Sequence, residues 1–123
     1  MGRRTTLVVE NDPVHRELVV DLLEAAGCTV LQAEDGSGLV ERVKAARPDL
    51  IIMDLQLPGV DGLTLARQLT ADPACRKIPV LAMSAFATPG EQAQAKEAGY
   101  AGFLTKPLDT RGLVQAVARL AGR

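Results

Sequence analysis

The chain has no excess of one charge: among its 123 residues, 14 Lys and Arg stand against 15 Asp and Glu, a formal net charge of −1. Without a basic field there is no electrostatic source for sequence-independent binding to nucleic acid. Long apolar runs are also missing, and none approaches the roughly eighteen residues of a transmembrane helix. No secretory leader is legible, because Arg3 and Arg4 precede only Leu7-Val8-Val9 before Glu10. Met1-Gly2 with Thr6 formally fits an N-myristoylation pattern, but the segment reads as the start of a core strand. Cysteine is scarce. Cys28 and Cys75 lie far apart and form no Cys-x-x-Cys pair, which argues against a disulfide scaffold or a zinc site and suits a reducing, cytoplasmic setting. With His15 the single histidine, no Ser/His/Asp triad has a plausible partner order. His15 is assigned to the polar side of a first helix, beside Arg16 and Glu17. No Gly-x-x-x-x-Gly-Lys loop is present to cradle a nucleotide, and neither low-complexity stretches nor internal repeats interrupt the chain.

What remains is apolar material for one core, 47% of residues, read as a single domain over 1–123. Strand-like runs stand at Thr6-Val9, Thr29-Ala33, Leu50-Met53, Val80-Met83 and Gly102-Leu104. Helical periodicity fills the gaps. Val14, Leu18, Leu22 and Ala25/Ala26 recur at helical spacing and predict a helix over Pro13-Ala26. Asp12 is its N-cap, Pro13 its first residue, and Gly27 suits the position after its end. A second helix over Gly38-Arg47 stops before Pro48. Leu63, Ala66 and Leu69 mark a third. Glu91-Ala98 forms a fourth with an alanine-rich apolar side, and Leu113, Val117 and Leu120 mark the last. Glu91, Lys96 and Glu97 read as a solvated helix face. Continuous apolar strands separated by helices imply an α/β architecture, a parallel sheet covered on both faces.

In such sheets chemistry collects beyond the carboxyl ends of the strands. The polar residues that end each strand therefore decide the function. Glu10-Asn11-Asp12 follow the first strand, Asp54 the third, Ser84 the fourth, and Lys106-Pro107 the fifth. Oxygen ligands from the first and third strand ends suit a hard cation. A hydroxyl and an ammonium facing the same place suit a phosphoryl group, and a carboxylate beside them is a candidate nucleophile towards phosphorus. Taken singly, Asp54 is an ordinary loop aspartate, Ser84 a turn residue, Lys106 a solvated lysine and Asp12 a helix cap. Their joint placement at four strand ends carries the reading.

The motifs are Leu7-Val8-Val9-Glu10-Asn11-Asp12-Pro13, then Ile51-Ile52-Met53-Asp54-Leu55-Gln56-Leu57-Pro58-Gly59 with Asp61-Gly62, then Pro79 to Ala85, then Leu104-Thr105-Lys106-Pro107. With these motifs in this order and at these gaps, the whole chain resembles the receiver domain of two-component response regulators. Single-domain regulators of chemotaxis and cell division, and hybrid histidine kinase receivers, are the most similar types. The resemblance implies a doubly wound, flavodoxin-like (βα)5 fold with strand order 2-1-3-4-5. It implies that Asp54 accepts a phosphoryl group from a sensor histidine kinase or a histidine phosphotransfer protein, and that Mg2+ or Mn2+ is the cofactor. Glu10, Asn11, Asp54 and the backbone carbonyl of Gln56 would hold the metal. Ser84 would be the switch hydroxyl, Lys106 would pair with the phosphoryl group, and Phe103 would be the switch aromatic. The peptide bond into Pro107 would be cis. The output surface would be the fourth helix, fifth strand and fifth helix. The protein would be a signalling module rather than an enzyme, a monomer or a weak phosphorylation-dependent dimer, and either a free-standing regulator without an output domain, the reading favoured because Met1 leads straight into the first strand, or a receiver from a larger protein such as a hybrid histidine kinase.

The pattern departs from the family at Asn11, an amide where a second acid is usual, so weaker Mg2+ affinity is expected unless Asp12 swings in. Phe103 has no hydroxyl to expose. Gln56 stands where it could contact an attacking water. Two other functions compete. An unphosphorylated pseudo-receiver binding module would keep the fold and lose the chemistry. A haloacid-dehalogenase-like phosphohydrolase uses Asp, Ser/Thr and Lys in the same order, but needs a second acid where Gln56 stands.

Overall fold

Alternating apolar strands and amphipathic helices give the chain its architecture in a computed structural model that describes residues 4–86, 88–106 and 108–121. The elements run β1 (Thr5–Val9), α1 (Pro13–Ala25), β2 (Thr29–Ala33), α2 (Leu39–Ala46), β3 (Leu50–Asp54), α3 (Gly62–Ala71), β4 (Val80–Ser84), α4 (Pro89–Ala98), β5 (Gly102–Thr105) and α5 (Thr110–Ala121). The five strands form one parallel sheet in the order β2-β1-β3-β4-β5, the doubly wound arrangement expected from the sequence.

Strand alternation divides the core into two layers. Leu7, Val9, Ile51, Met53 and Ala82 face the side covered by α2, α3 and α4. Val8, Leu50, Ile52, Leu81 and Met83 face α1 and α5, where they meet Val19, Leu23, Leu113 and Val117. β3 and β4 are buried along their whole lengths, whereas the flanking β2 and β5 are partly exposed.

The helix predicted from Val14, Leu18 and Leu22 is present, but that stripe does not carry its packing. Val14 is 76% and Leu18 46% exposed, and α1 packs instead through Val19, Val20 and Leu23. α1 carries two apolar stripes, and periodicity identifies a helix without saying which stripe turns inward. α2 is shorter than expected, with Gly38 and Arg47 as its caps, both in the left-handed region. α4 starts earlier than expected, at Pro89 behind an N-cap Thr88, and buries only Ala95 and Ala98. Both cysteines are free and buried. Among the described residues no helix is long and apolar enough to cross a membrane.

Candidate functional site

The sheet order reverses direction between β1 and β3, so the crevice beyond their carboxyl ends is the place where this fold presents chemistry. Asp54 is the last residue of β3 and pairs in register with Met83 of β4. Ser84 therefore stands one position further along the neighbouring strand. Its carbonyl accepts from the Lys106 N–H at 2.8 Å, which brings the end of β5 against β4. Glu10 follows β1 directly, its own N–H bonded to the Ala33 carbonyl at 3.0 Å. Parallel pairing thus gathers four groups from distant sequence at one edge.

The charges are arranged around Lys106. Its Nζ lies 2.7 Å from Asp54 Oδ2 and 2.8 Å from Glu10 Oε1. The three side chains are 20%, 5% and 2% exposed respectively. Burial pushes the Glu10 carboxyl up, but the hydrogen bond from Lys106 and those within the crevice outweigh it and hold Glu10 below its ordinary value. Burial pushes Asp54 up and wins, because Lys106 and the Gln56 N–H are opposed by the neighbouring Glu10 charge. Burial lowers Lys106, yet its hydrogen bonds to the two carboxylates raise it above the ordinary lysine value. Two buried carboxylates share one ammonium, and Glu10 also has His15 Nδ1 at 2.7 Å.

Local structure fixes both acids. The Gln56 N–H donates to Asp54 Oδ1 at 2.8 Å. The turn after β3 folds back so that the Gly62 N–H reaches the Leu55 carbonyl at 3.1 Å. A Cβ at Gly62 would stand 2.8 Å from Leu55 Cα and 2.9 Å from the Asp54 carbonyl oxygen, so only glycine lets the turn close on the acid. Tyr100 Oη donates to the Gly62 carbonyl at 2.8 Å and braces the same turn. On the other side the Asp12 N–H donates to Glu10 Oε2 at 3.1 Å.

Sequence reasoning misplaced two residues here. His15 does not lie on a solvated polar face: its Nδ1 is 2.7 Å from Glu10 Oε1. Glu91 is not simply part of a solvated helix face: its carboxylate accepts from the Ser84 hydroxyl. Both are the third residue of a helix that opens with a capping side chain and a proline, Asp12-Pro13 in α1 and Thr88-Pro89 in α4. Thr88-x-x-Glu91 also has the form of a capping box. These signals place a side chain in the first turn, beside the end of the preceding strand. Tyr100 carried no comparable signal.

The remaining expected site residues are less enclosed. Asn11 is exposed. Asp12 accepts from the Val14 N–H at 3.0 Å as a helix cap. Gln56 Oε1 lies 3.4 Å from Ser84 Oγ. Phe103 is half-buried on β5, against the core layer under α4, and lines a cavity of about 420 Å³ with Gln92, Ala95, Lys96 and Tyr100. Pro107, and Met1-Gly2 of the myristoylation pattern, lie outside the described residues.

For a metal ion the fit is that of a hard cation. Among the described residues no group of three or more His, Cys, Asp or Glu is arranged to hold one. Two buried carboxylates, Glu10 and Asp54, nevertheless match the way Mg2+ is commonly held, by one or two carboxylates with water and phosphate oxygens completing the shell.

Comparisons with known proteins bear on the family and the fold. The family model described as the response regulator receiver domain matches residues 6–118. The chain is 31% identical over 119 residues to the polar-differentiation response regulator DivK of Brucella anthropi, covering 97% of each. Among solved structures, the receiver domain of a sensor histidine kinase from Pseudomonas aeruginosa superposes with a TM-score of 0.91 at 30% identity, over 99% of this chain and 100% of that one. That structure is described with a magnesium ion coordinated in its active-site cleft. The chemotaxis response regulator CheY4 of Vibrio cholerae gives a TM-score of 0.89 at 25% identity, over 96% and 98%. By its sequence, its 2-1-3-4-5 sheet and this family match, the chain belongs to the response regulator receiver domains of two-component signalling.

Proposed function

We propose that Asp54 accepts a phosphoryl group from a phosphohistidine on a sensor histidine kinase or a histidine phosphotransfer protein, and that the modified chain changes a partner-binding surface. The observation that carries this reading is the buried carboxylate at the carboxyl end of β3, 2.7 Å from Lys106 Nζ and beside Glu10. In the transfer, an Asp54 carboxylate oxygen forms the new P–O bond while the P–N bond to the donor imidazole breaks. The electron pair returns to the ring nitrogen, which takes up a proton. Lys106 stands where it can pair with the incoming oxygens, and a lysine ammonium stabilises charge as it develops. Glu10, Asp54, the Asn11 amide and the Gln56 carbonyl are the groups that would hold Mg2+ or Mn2+. When bound, that ion neutralises phosphoryl charge and aligns its oxygens. Exposed Val14 and Leu18 on α1, with Phe86 after β4, offer a donor protein apolar footing around the crevice.

The product adds about −1.5 to −2 charges at one strand end. Ser84 donates its hydroxyl hydrogen to the phosphoryl group as it arrives, and Phe103 moves with it. The surface of α4, β5 and α5 takes up its second arrangement, which a partner reads through differential affinity. The protein works in this way as a cytoplasmic switch over residues 1–123, not as a turnover enzyme.

Incubation with acetyl phosphate and Mg2+, followed by intact-mass measurement, tests the reading with Asp54→Asn alongside. One phosphoryl adduct, dependent on both Mg2+ and Asp54, is expected. If neither acetyl phosphate nor a phosphohistidine protein yields an adduct at high Mg2+, the pseudo-receiver replaces this reading.

A further inference from the structure

We infer that Glu91 is a positioning residue that holds the Ser84 hydroxyl away from the phosphorylation site until the phosphoryl group arrives. The inference rests on the reading of Ser84 as the switch hydroxyl and deepens it. Ser84 Oγ accepts from the Phe86 N–H at 3.0 Å and faces three acceptors: Glu91 Oε1, the Phe86 carbonyl at 3.2 Å and Gln56 Oε1 at 3.4 Å. A hydroxyl has one hydrogen to give. The carboxylate takes it, because an ionised acceptor makes roughly twice as strong a hydrogen bond as a neutral one.

The bond ties two elements together. Ser84 ends β4, and Glu91 lies in the first turn of α4, where its own N–H donates to Thr88 Oγ1 at 3.1 Å. That backbone bond survives any side chain but proline at position 91, so the carboxylate is not needed to cap the helix. For Ser84 to donate to a phosphoryl group on Asp54 it must first leave Glu91. The exchange replaces one anionic acceptor with another. It also frees the Glu91 carboxylate in the first turn of α4, where the new dianion repels it. Modification at Asp54 is thereby transmitted to a helix that does not carry it. By reciprocity, a partner that takes Glu91 with a Lys or Arg side chain frees Ser84 and favours the phosphorylated state.

The test uses the full chain with acetyl phosphate and Mg2+, comparing wild type, Glu91→Ala, Glu91→Gln, Ser84→Ala and the Ser84→Ala/Glu91→Ala double variant. Two readouts are taken: the Ser84 χ1 rotamer from NMR couplings in the unmodified protein, and the rate of adduct formation by intact mass. Glu91→Ala should convert a single Ser84 rotamer into an averaged one and speed adduct formation about fivefold, the size of one net hydrogen bond. Glu91→Gln, which keeps an acceptor without the charge, should fall between. In the Ser84→Ala background, loss of Glu91 should leave the rate unchanged. A Ser84 rotamer indifferent to Glu91→Ala overturns the inference. So do adducts that form at the wild-type rate in Glu91→Ala. If no variant forms an adduct while the rotamer still responds, the Ser84–Glu91 hold stands and the phosphoryl-acceptor reading falls.

Discussion

α1 and α4 begin alike and are held differently. Each follows the end of an inner strand, opens with a capping side chain and a proline, and sends its third residue back to a buried polar group. His15 meets Glu10, and Glu91 meets Ser84. Beyond that turn they diverge. α1 sinks Val19, Val20 and Leu23 into the sheet, and its Arg16 Nη1 bonds the Glu10 carbonyl at 2.7 Å. α4 rests on Ala95 and Ala98. The same opening thus serves an anchored helix beside the charged half of the crevice and a lightly seated one beside the hydroxyl. A helix that must respond to a local charge should be the one with less apolar surface to unseat.

The buried anchors set how firmly each helix is seated. Leu23→Ala should lower the unfolding free energy by about 2–5 kcal/mol, the range for a buried leucine. Ala95→Gly should cost about 1 kcal/mol, from helix propensity and a small loss of contact. Urea denaturation measures both, and native-state amide exchange should find α4 opening at lower free energy than α1. Equal opening energies would end the claim that α4 is the movable element.

Next in size is the charge balance beside α1. Lys106→Met leaves two buried carboxylates facing each other. Breaking a buried pair costs about 3–5 kcal/mol, so with Lys106 still 20% exposed a loss of about 2–3 kcal/mol is expected. The pH dependence has a definite sign. The folded value of Lys106 lies above the ordinary 10.5, so its contribution is complete below about pH 10.5 and is lost as pH rises through the folded value. The stability gap between wild type and Lys106→Met should accordingly be constant near neutrality and close in alkali. The acid limb is less informative, since Glu10 is lowered and Asp54 raised. The Glu10 contribution is lost as pH falls through its folded value, while protonation of Asp54 favours the fold. The Ser84 rotamer should not respond to Lys106→Met, because the hydroxyl is held from α4.

A smaller effect tests the one departure at the metal site. Asn11→Asp adds a charged oxygen ligand to a crevice that offers two carboxylates, and should tighten Mg2+ binding about tenfold, roughly 1.4 kcal/mol. Mg2+ titration of both proteins measures it. Equal affinities would mean that position 11 does not reach the ion, and the helix-capping Asp12 would not change that, being engaged with the Val14 N–H.

How much of this was legible beforehand follows from which signals are local. The strands and their parallel pairing were readable from the apolar runs, and the strand-end residues Glu10, Asp54, Ser84 and Lys106 followed from them, whereas the strand order came only from the family resemblance. The inward face of α1 did not, because Val14 and Leu18 make as good a stripe as Val19 and Leu23, and only tertiary packing chooses between them. Glu91 and His15 looked solvated because a polar residue in a first turn usually is. What singles them out is the buried partner at the preceding strand end, which a sequence does not display.

Polar burial also differs within β1 and its continuation. Glu10 is buried with hydrogen bonds from His15, Lys106 and the Asp12 N–H. Thr6, at the other end of the strand, is fully buried, and its hydroxyl has no hydrogen-bond partner among the described residues. The first arrangement serves the crevice, whereas the second costs stability with no bond in return. Thr6→Val keeps the branched shape and the strand preference while replacing the hydroxyl by a methyl group. It should stabilise the chain by about 0.5–1 kcal/mol, read as a higher urea midpoint at unchanged slope, with acetyl-phosphate labelling unaltered. A loss of stability instead would mean that the hydroxyl is bonded to water within the sheet, and that β1 has no unsatisfied end to set against Glu10.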